Sequence, residues 1–334
     1  MKKHVLQWHI THKCNLRCLH CYQEEYTRDL DRKELEEIFH HYLEFVDYYN
    51  YKGHINFTGG EPFISEDIFH MLDLCETSNI SFGVLTNGTM LNETFVQKLE
   101  KYQKLSFVQI SIDGTKETHN HIRGIGSFEK ALETFKLLKK YHIQTMAAFT
   151  CHKENYQELS QVIKIMKKNK IDRFWMDRLI PMGNNEEETL TTEEYRNVIR
   201  FLTKEQEKAR KNPLCTTTIH TNRALQFCEG GNEIYQCSAG VELLTILADG
   251  TLLPCRRLPI PVGNVLEKSI LNLYQNSQVI KNLQKKEIPI ECNQCLKAEL
   301  CRGGAKCLSY ALHKDYNRKD ENCYISPEHN RKGK

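Results

Sequence analysis

The stretch Val5-Leu-Gln-Trp-His-Ile-Thr-His-Lys-Cys14-Asn-Leu-Arg-Cys18-Leu-His-Cys21 sets the reading of the whole chain. Val5 to Thr11 is rich in strand formers, and three cysteines follow at once, spaced by four and by three. Three thiolates cannot fill the four corners of an iron–sulfur cubane. One iron is left open, and an open metal position is where chemistry takes place. Two readings compete with this one. One is a cysteine stripe along a helix; the other is a zinc site completed by His9, His12 or His20.

Working outward, the first 180 or so residues alternate between strand-like and helix-like segments. Asp31 with Glu34 forms a capping-box pattern, followed by Leu35, Ile38, Phe39, Tyr42, Phe45, Val46 and Tyr49 on one helical face. Strands are expected at His54–Thr58, Ile80–Thr86, Phe107–Ile112, Ile143–Thr150 and Ile171–Ile180. Helical stripes lie between them: Ile68/Phe69/Leu72/Cys75, Phe95/Leu99/Tyr102, Phe128/Ala131/Leu132/Phe135/Leu138 and Leu159/Val162/Ile163/Met166. This order predicts an α/β fold with a parallel sheet and right-handed crossovers, either an open doubly wound sheet or a curved partial barrel. Chemistry then belongs at the C-terminal ends of the strands. Special residues sit at those ends: Thr58-Gly59-Gly60-Glu61-Pro62, Asn87-Gly88, Ser111-Ile-Asp113-Gly114 and Arg178 before Pro181-Met-Gly183. Beyond Pro181, residues 184–188 read as a polar loop, and Tyr195, Val198, Ile199 and Leu202 as one more helix. From about Cys228 onward periodic helices are rare and cysteines dense, as in a small domain held by metal.

The chain has 334 residues, 40% apolar and 27% charged, with a net charge of +3. That composition suits a soluble globular protein and gives no global electrostatic case for nucleic acid or an anionic membrane as partner. No apolar run approaches the ~20 residues that span a bilayer, and no signal peptide is evident. The expected location is cytoplasmic. There, fourteen cysteines point to metal or cluster ligation rather than disulfides.

Cys14, Cys18 and Cys21 resemble the three-cysteine signature of the radical S-adenosylmethionine superfamily. The flanks Trp8-His-Ile-Thr11 and His20-Cys21-Tyr22 resemble the branch that carries a C-terminal SPASM domain. The resemblance implies a partial (β/α)6 barrel over residues 1–215, an auxiliary iron–sulfur domain over 216–326 and a polar tail over 327–334. It implies an open iron chelated by S-adenosylmethionine, whose reductive cleavage yields a 5′-deoxyadenosyl radical that abstracts a substrate hydrogen. It implies cofactor contacts for Gly59, Gly60, Glu61, Asn87, Ser111 and Arg123, for Arg178 toward the methionine carboxylate, and for His20 beside the adenine. Asn120 departs from the family, which usually places Asp there. No general base is identified.

Cys237, Gly250, Cys255, Cys292, Cys295, Cys301, Cys307 and Cys323 resemble the seven-cysteine SPASM signature, although Cys301 and Cys307 are spaced more widely than usual. By analogy Cys292, Cys295, Cys301 and Cys323 hold an outer [4Fe–4S] cluster. Cys237, Cys255 and Cys307 hold an inner one, with Cys228 as a candidate fourth ligand. The total is three [4Fe–4S] clusters and S-adenosylmethionine. A pair of structural zinc sites is the competing reading. The expected activity is oxidative modification of a ribosomally made peptide, a thioether or carbon–carbon crosslink. The expected partners are the peptide substrate, its leader bound by a separate protein or by the C-terminal domain itself, and a reductant such as flavodoxin or ferredoxin. A porphyrin or other small-molecule substrate, sulfatase maturation and a metal-containing nucleic-acid-binding protein are the alternatives.

Overall fold

The computed structural model describes residues 1–23, 28–182, 188–221, 224–230 and 234–325. The expected loop at 184–188, but for its last residue, and the expected tail at 327–334 lie outside the described residues. In chain order the strands are β1 (Lys3–Thr11), β2 (Lys52–Gly59), β3 (Ser81–Thr86), β4 (Leu105–Ser111), β5 (Thr145–Cys151), β6 (Arg173–Arg178), β7 (Thr218–His220), β8 (Leu243–Ile246), β9 (Thr251–Leu253) and β10 (Gly263–Asn264). The helices are α1 (Arg32–Tyr48), α2 (Ile68–Thr77), α3 (Glu93–Leu99), α4 (Lys116–Arg123), α5 (Ser127–Lys140), α6 (Leu159–Lys168), α7 (Thr192–Lys211), α8 (Ile270–Asn276), α9 (Gln278–Lys285), α10 (Ala298–Cys301) and α11 (Lys306–His313).

The described chain forms two compact units. Unit one comprises residues 1–112, 119–147 and 238–284; unit two comprises 113–118, 148–237 and 285–334.

In unit one the strands run in the order β10-β9-β8-β1-β2-β3-β4. β1 pairs in parallel with β2 and with β8, β2 with β3, and β3 with β4. β9 and β10 add antiparallel pairs at the edge, so the sheet is mixed rather than wholly parallel. Alternation along β1 sends His4, Leu6, Trp8 and Ile10 to one face, where all four are buried. His4 meets α1 there, with its ring 4.8 Å from Phe45 and its Nδ1 3.4 Å from the Tyr42 hydroxyl. α1 starts as its sequence demands. Asp31 accepts from the Glu34 amide, Glu34 reaches back to Asp31, and Leu35, Ile38, Phe39, Tyr42, Phe45 and Val46 are buried. Each such side chain contributes roughly 1.5–3 kcal/mol of transfer free energy.

The opposite face is unusual for a parallel sheet, whose two faces are ordinarily apolar. It presents Gln7 beside Asn56 and Thr245, His9 beside Thr58, and Val5 beside His54. His54 bonds Ser81 Oγ at 2.8 Å and Asn56 Oδ1 at 3.0 Å.

Unit two contains the later part of β5, with β6 and β7 in parallel register, α6, α7, α10 and α11. Capping by Thr191 and Glu194 starts α7, which buries Tyr195, Val198, Ile199 and Leu202. The expectation that helices are rare after Cys228 is corrected: α8 to α11 all lie there, each of eight residues or fewer. Periods of two turns or less leave too little apolar repetition to register. α4 was likewise unforeseen, because His119-Asn-His-Ile-Arg123 carries one apolar residue.

Candidate functional site

In unit one the cysteine loop leaves the C-terminal end of β1, and the turn between them is held from both sides. Asp29 accepts from Thr11 Oγ1 and from the His12 amide, both at 2.8 Å. From the other side the Gly60 amide donates to Thr11 O at 2.9 Å and the Glu61 amide to Lys13 O at 2.8 Å. The two glycines are required by this packing. A Cβ on Gly59 would lie 2.2 Å from Thr11 O, and one on Gly60 2.2 Å from Lys13 O; Gly59 also sits at φ +141°. The close approach expected of these glycines is therefore made to the cysteine loop's own backbone.

Cys14 and Cys18 are half-buried and Cys21 is exposed. The Cys21 amide donates to Cys18 O at 3.0 Å, which turns the loop back on itself. Two N–H groups point at the thiols: Asn87 Nδ2 at 3.9 Å from Cys14 Sγ, and Arg123 Nη1 at 3.9 Å from Cys18 Sγ. Burial raises the Cys14 pKa, and the charges of Glu61 and Cys21 add to this, partly offset by hydrogen bonds from Leu16 and Asn87. Three thiols gathered under N–H donors suit an iron cubane with one open corner.

Glu61 has a firm local role. It is fully buried, with Thr86 Oγ1 donating to Oε1 at 2.7 Å and the Asn87 amide to Oε2 at 2.8 Å. Burial pushes its pKa up to about 7 against those hydrogen bonds. It thereby ties the end of β2 to the end of β3. Asn87 is held in turn: Nδ2 donates to Asn15 Oδ1 at 2.9 Å, and Oδ1 accepts from the Thr89 amide at 2.8 Å. Ser111 ends β4, half-buried, on the same face as Gln109. His20 is half-buried in the cysteine loop. Gly59, Gly60, Glu61, Asn87 and Ser111 thus share the C-terminal edge of three adjacent parallel strands beside that loop.

Arg256 was not foreseen as a site residue. It donates from Nη2 to Tyr22 O at 2.9 Å and lies 4.2 Å from the centre of the Tyr22 ring. The residue after Cys255 thereby clamps the residue after Cys21. Nothing in local spacing signals a contact made across more than 200 positions.

Arg178 is corrected. Its guanidinium is buried in unit two, where Nη1 donates to Asp320 Oδ1 at 2.9 Å and to Asn322 Oδ1, and Nη2 to Asp320 Oδ2 at 2.7 Å. It stacks 4.0 Å from the Tyr195 ring centre. The expected methionine carboxylate is replaced by a carboxylate of this chain, because a buried cation needs a fixed counter-charge. Asn155 is a buried brace: Nδ2 donates to Asp113 O at 3.0 Å and Thr150 O at 2.8 Å.

Also in unit two, Cys292, Cys295, Cys301 and Cys323 line one cavity with Leu225 and Phe227. Cys301 feels the charges of Cys323, Cys292 and Cys228, so the thiols are close neighbours. Burial pushes Cys292 up to about 11 and Cys301 up to about 12, with the neighbouring thiols adding to the shift. Such thiols stay protonated until a cation replaces the protons, and four sulfurs in a lining that is apolar apart from Lys319 fit a closed four-thiolate cluster. Cys228, the candidate fourth ligand of the inner cluster, feels the charges of Cys323 and Cys295. Cys237 and Cys307 are in unit two and Cys255 is in unit one. Cys75 is buried on α2, as a core residue. Among the described residues no helix is long and apolar enough to cross a membrane.

Comparison with known proteins agrees with this geometry. The model of the radical SAM superfamily matches residues 8–166, and that of the SPASM iron–sulfur cluster-binding domain matches 237–296. The chain is 26% identical to the AdoMet-dependent heme synthase of Methanosarcina barkeri, over 97% of each protein. It is 25% identical to the antilisterial bacteriocin subtilosin biosynthesis protein AlbA of Bacillus subtilis, over 86% of this chain and 63% of that one. The crystal structure of Streptococcus suis SuiB bound to S-adenosylmethionine superposes with a TM-score of 0.78 at 17% identity, covering 97% of this chain and 78% of that one, a likeness of fold. Three thiols at the strand ends and a sulfur-lined cavity near the C-terminus agree with both family models: the chain carries a radical S-adenosylmethionine superfamily domain over residues 8–166 and a SPASM iron–sulfur cluster-binding domain over 237–296.

Proposed function

We propose that this enzyme oxidatively modifies a ribosomally made peptide, removing two hydrogens to form a thioether or carbon–carbon crosslink. When bound, the N-terminal cluster and S-adenosylmethionine supply one-electron reductive cleavage and a hydrogen-abstracting radical. The chain's own residues do the rest. Cys14, Cys18 and Cys21 hold three irons, while Asn87 and Arg123 direct N–H groups at the sulfurs. Gly59, Gly60 and Ser111 offer backbone and hydroxyl partners to the cofactor at the strand ends, and Glu61 braces that edge. Cys292, Cys295, Cys301 and Cys323 hold an auxiliary cluster suited to taking back the second electron. The count of three clusters and the division into residues 1–215 and 216–326 follow the family layout and belong to this proposal.

The observation that carries the peptide reading is the polar face of the unit-one sheet. Between Val5 and Thr11, and between His54 and Thr58, it offers amide, imidazole and hydroxyl groups, with Arg256 near His9. Such a face matches peptide N–H and C=O groups. The bacteriocin-biosynthesis relative supports the same reading. A second reading, an iron-porphyrin substrate, is favoured by the full-length match to a heme synthase.

The test is anaerobic turnover with dithionite and S-adenosylmethionine, supplying either a short peptide encoded beside this gene or iron coproporphyrin. The peptide reading expects 5′-deoxyadenosine release and a peptide lighter by two hydrogens. Consumption of the porphyrin with the peptide unchanged overturns it. Alanines at Cys14, Cys18 and Cys21 are expected to abolish nucleoside release in either case.

A further inference from the structure

Two buried polar atoms on one face of the unit-one sheet lack hydrogen-bond partners among the described residues. The first is Nε2 of His9, which lies on β1 beside Thr58 of β2 and is 6% exposed. The second is Oγ1 of Thr245 on β8, fully buried beside Gln7. Alternation along β1 puts Gln7 and His9 together, on the face away from Leu6, Trp8 and Ile10. His54, on the same face, shows the ordinary case, since Ser81 and Asn56 take both its ring nitrogens. Buried polar groups are paired in folded proteins, so open ones mark a place for a ligand. A cation stands at the same end of β1. The chain leaves β9 through Cys255 to Arg256, whose Nη2 donates to the Tyr22 carbonyl at 2.9 Å and whose guanidinium lies 4.2 Å from the Tyr22 ring centre. Tyr22 belongs to the cysteine loop that leaves β1. Arg256 is half-buried, and among the described residues it pairs with no carboxylate, whereas Arg178 has Asp320. Its charge reaches His9. Burial first, and then Arg256, lower the imidazole pKa from 6.5 to about 3, so the ring is neutral beside a single positive charge.

We infer that His9 and Arg256 hold a carboxylate of the substrate against the polar face of the unit-one sheet. This rests on the reading that the substrate lies on that face. The guanidinium supplies charge and direction, because the Tyr22 carbonyl and ring hold it in place. The neutral imidazole donates from Nε2, in the tautomer that carries its proton there. Thr245, one strand away, offers a hydroxyl to the same ligand. A carboxylate satisfies the cation and the open N–H together. An amide or ester in its place keeps an acceptor and loses the charge. In a peptide substrate the carboxylate belongs to an Asp or Glu side chain or to the C-terminus; in a porphyrin it is a propionate. The recognising chemistry is shared, and binding decides the source.

Anaerobic equilibrium binding to the full-length, iron-reconstituted protein with S-adenosylmethionine decides it. The probes are the short peptide encoded beside this gene, the same peptide with Asn and Gln for Asp and Glu and an amidated C-terminus, iron coproporphyrin, and its methyl ester. Wild type is expected to hold one acid about tenfold tighter than its neutral form. R256M erases that ratio. H9A lowers it about threefold, and H9Q restores it, because Gln places an amide N–H near the position of Nε2. The ratio is read within each variant, so a general loosening of the cysteine loop does not imitate the result. Wild type that holds neither acid tighter than its neutral form overturns the inference, as does a ratio that survives either R256M or H9A. H9A alone is sufficient if R256M does not fold. Carboxylate-dependent binding of the porphyrin and not of the peptide leaves this site standing and removes the peptide reading. Equal binding of both peptides, with both crosslinked on turnover, removes this site and keeps the peptide reading.

Discussion

Arg178 and Asp320, 142 residues apart, form a two-pronged ion pair inside unit two, with contacts of 2.9 and 2.7 Å. Both side chains are at least nine-tenths buried. Asp320 also accepts from the amides of Ala305 at 2.9 Å and Asn322 at 3.0 Å. The end of β6 is thus bonded to the segment that spaces Cys301 from Cys323, and the pair acts as a strut for the sulfur-lined cavity.

Removing one partner leaves the other charge buried and uncompensated. Arg178→Met is expected to cost about 3–5 kcal/mol in urea unfolding and to lower the iron held in unit two. Arg178→Lys keeps the charge but loses the fork and the stack on Tyr195, so a smaller loss is expected.

Gly60 faces the backbone of the cysteine loop, and its missing Cβ would meet Lys13 O at 2.2 Å. A backbone oxygen cannot swing aside as a flexible side chain can. Gly60→Ala is expected to displace the loop, lower the iron bound by Cys14, Cys18 and Cys21, and abolish 5′-deoxyadenosine release. Iron in unit two should be retained. Normal N-terminal iron in Gly60→Ala would show that the contact yields without consequence.

Arg123 brings a positive N–H to the Cys18 sulfur at 3.9 Å. Such donors stabilise the more negative, reduced cluster. Arg123→Leu is expected to lower the reduction potential of the N-terminal cluster by about 60 mV, the one-electron equivalent of about 1.4 kcal/mol. EPR-monitored redox titration of the full-length protein reads this directly, and an unchanged potential would remove Arg123 from the cluster's surroundings.

His4 is buried among Tyr42, Phe45 and Tyr51, and burial lowers its pKa from 6.5 to about 3. Below pH 6.5 the unfolded chain takes up the proton first, so the contribution of this site to stability falls as pH drops toward 3. His4→Phe fills the same aromatic space without a titrating group. It is expected to gain on wild type by up to about 1.4 kcal/mol per pH unit on acidification. Urea unfolding at pH 7, 6 and 5 checks the slope; parallel curves would refute it.

Much of the molecule was legible in advance. The Asp31/Glu34 capping box and its apolar stripe appear in α1 as read, because capping and periodicity act within a few residues of one another. The strand ends that carry Gly59, Asn87 and Ser111 fall within a residue or two of their expected places. Less visible was the pairing of β8 with β1, which brings Leu243–Ile246 against Val5–Trp8. A strand of four residues has no period to detect, and its partner is chosen by burial far along the chain.

What the amino-acid order determined by itself was local: which residues turn, which alternate, and how far apart the cysteines stand, and hence which cofactor chemistry they suit. Only the three-dimensional arrangement decided how the polar groups are paired. It gave Arg178 to Asp320 and joined Glu61 to Thr86 and Asn87. The reason lies in desolvation. A group removed from water must find a partner, and the partner within reach is set by packing, which spacing along the chain does not encode.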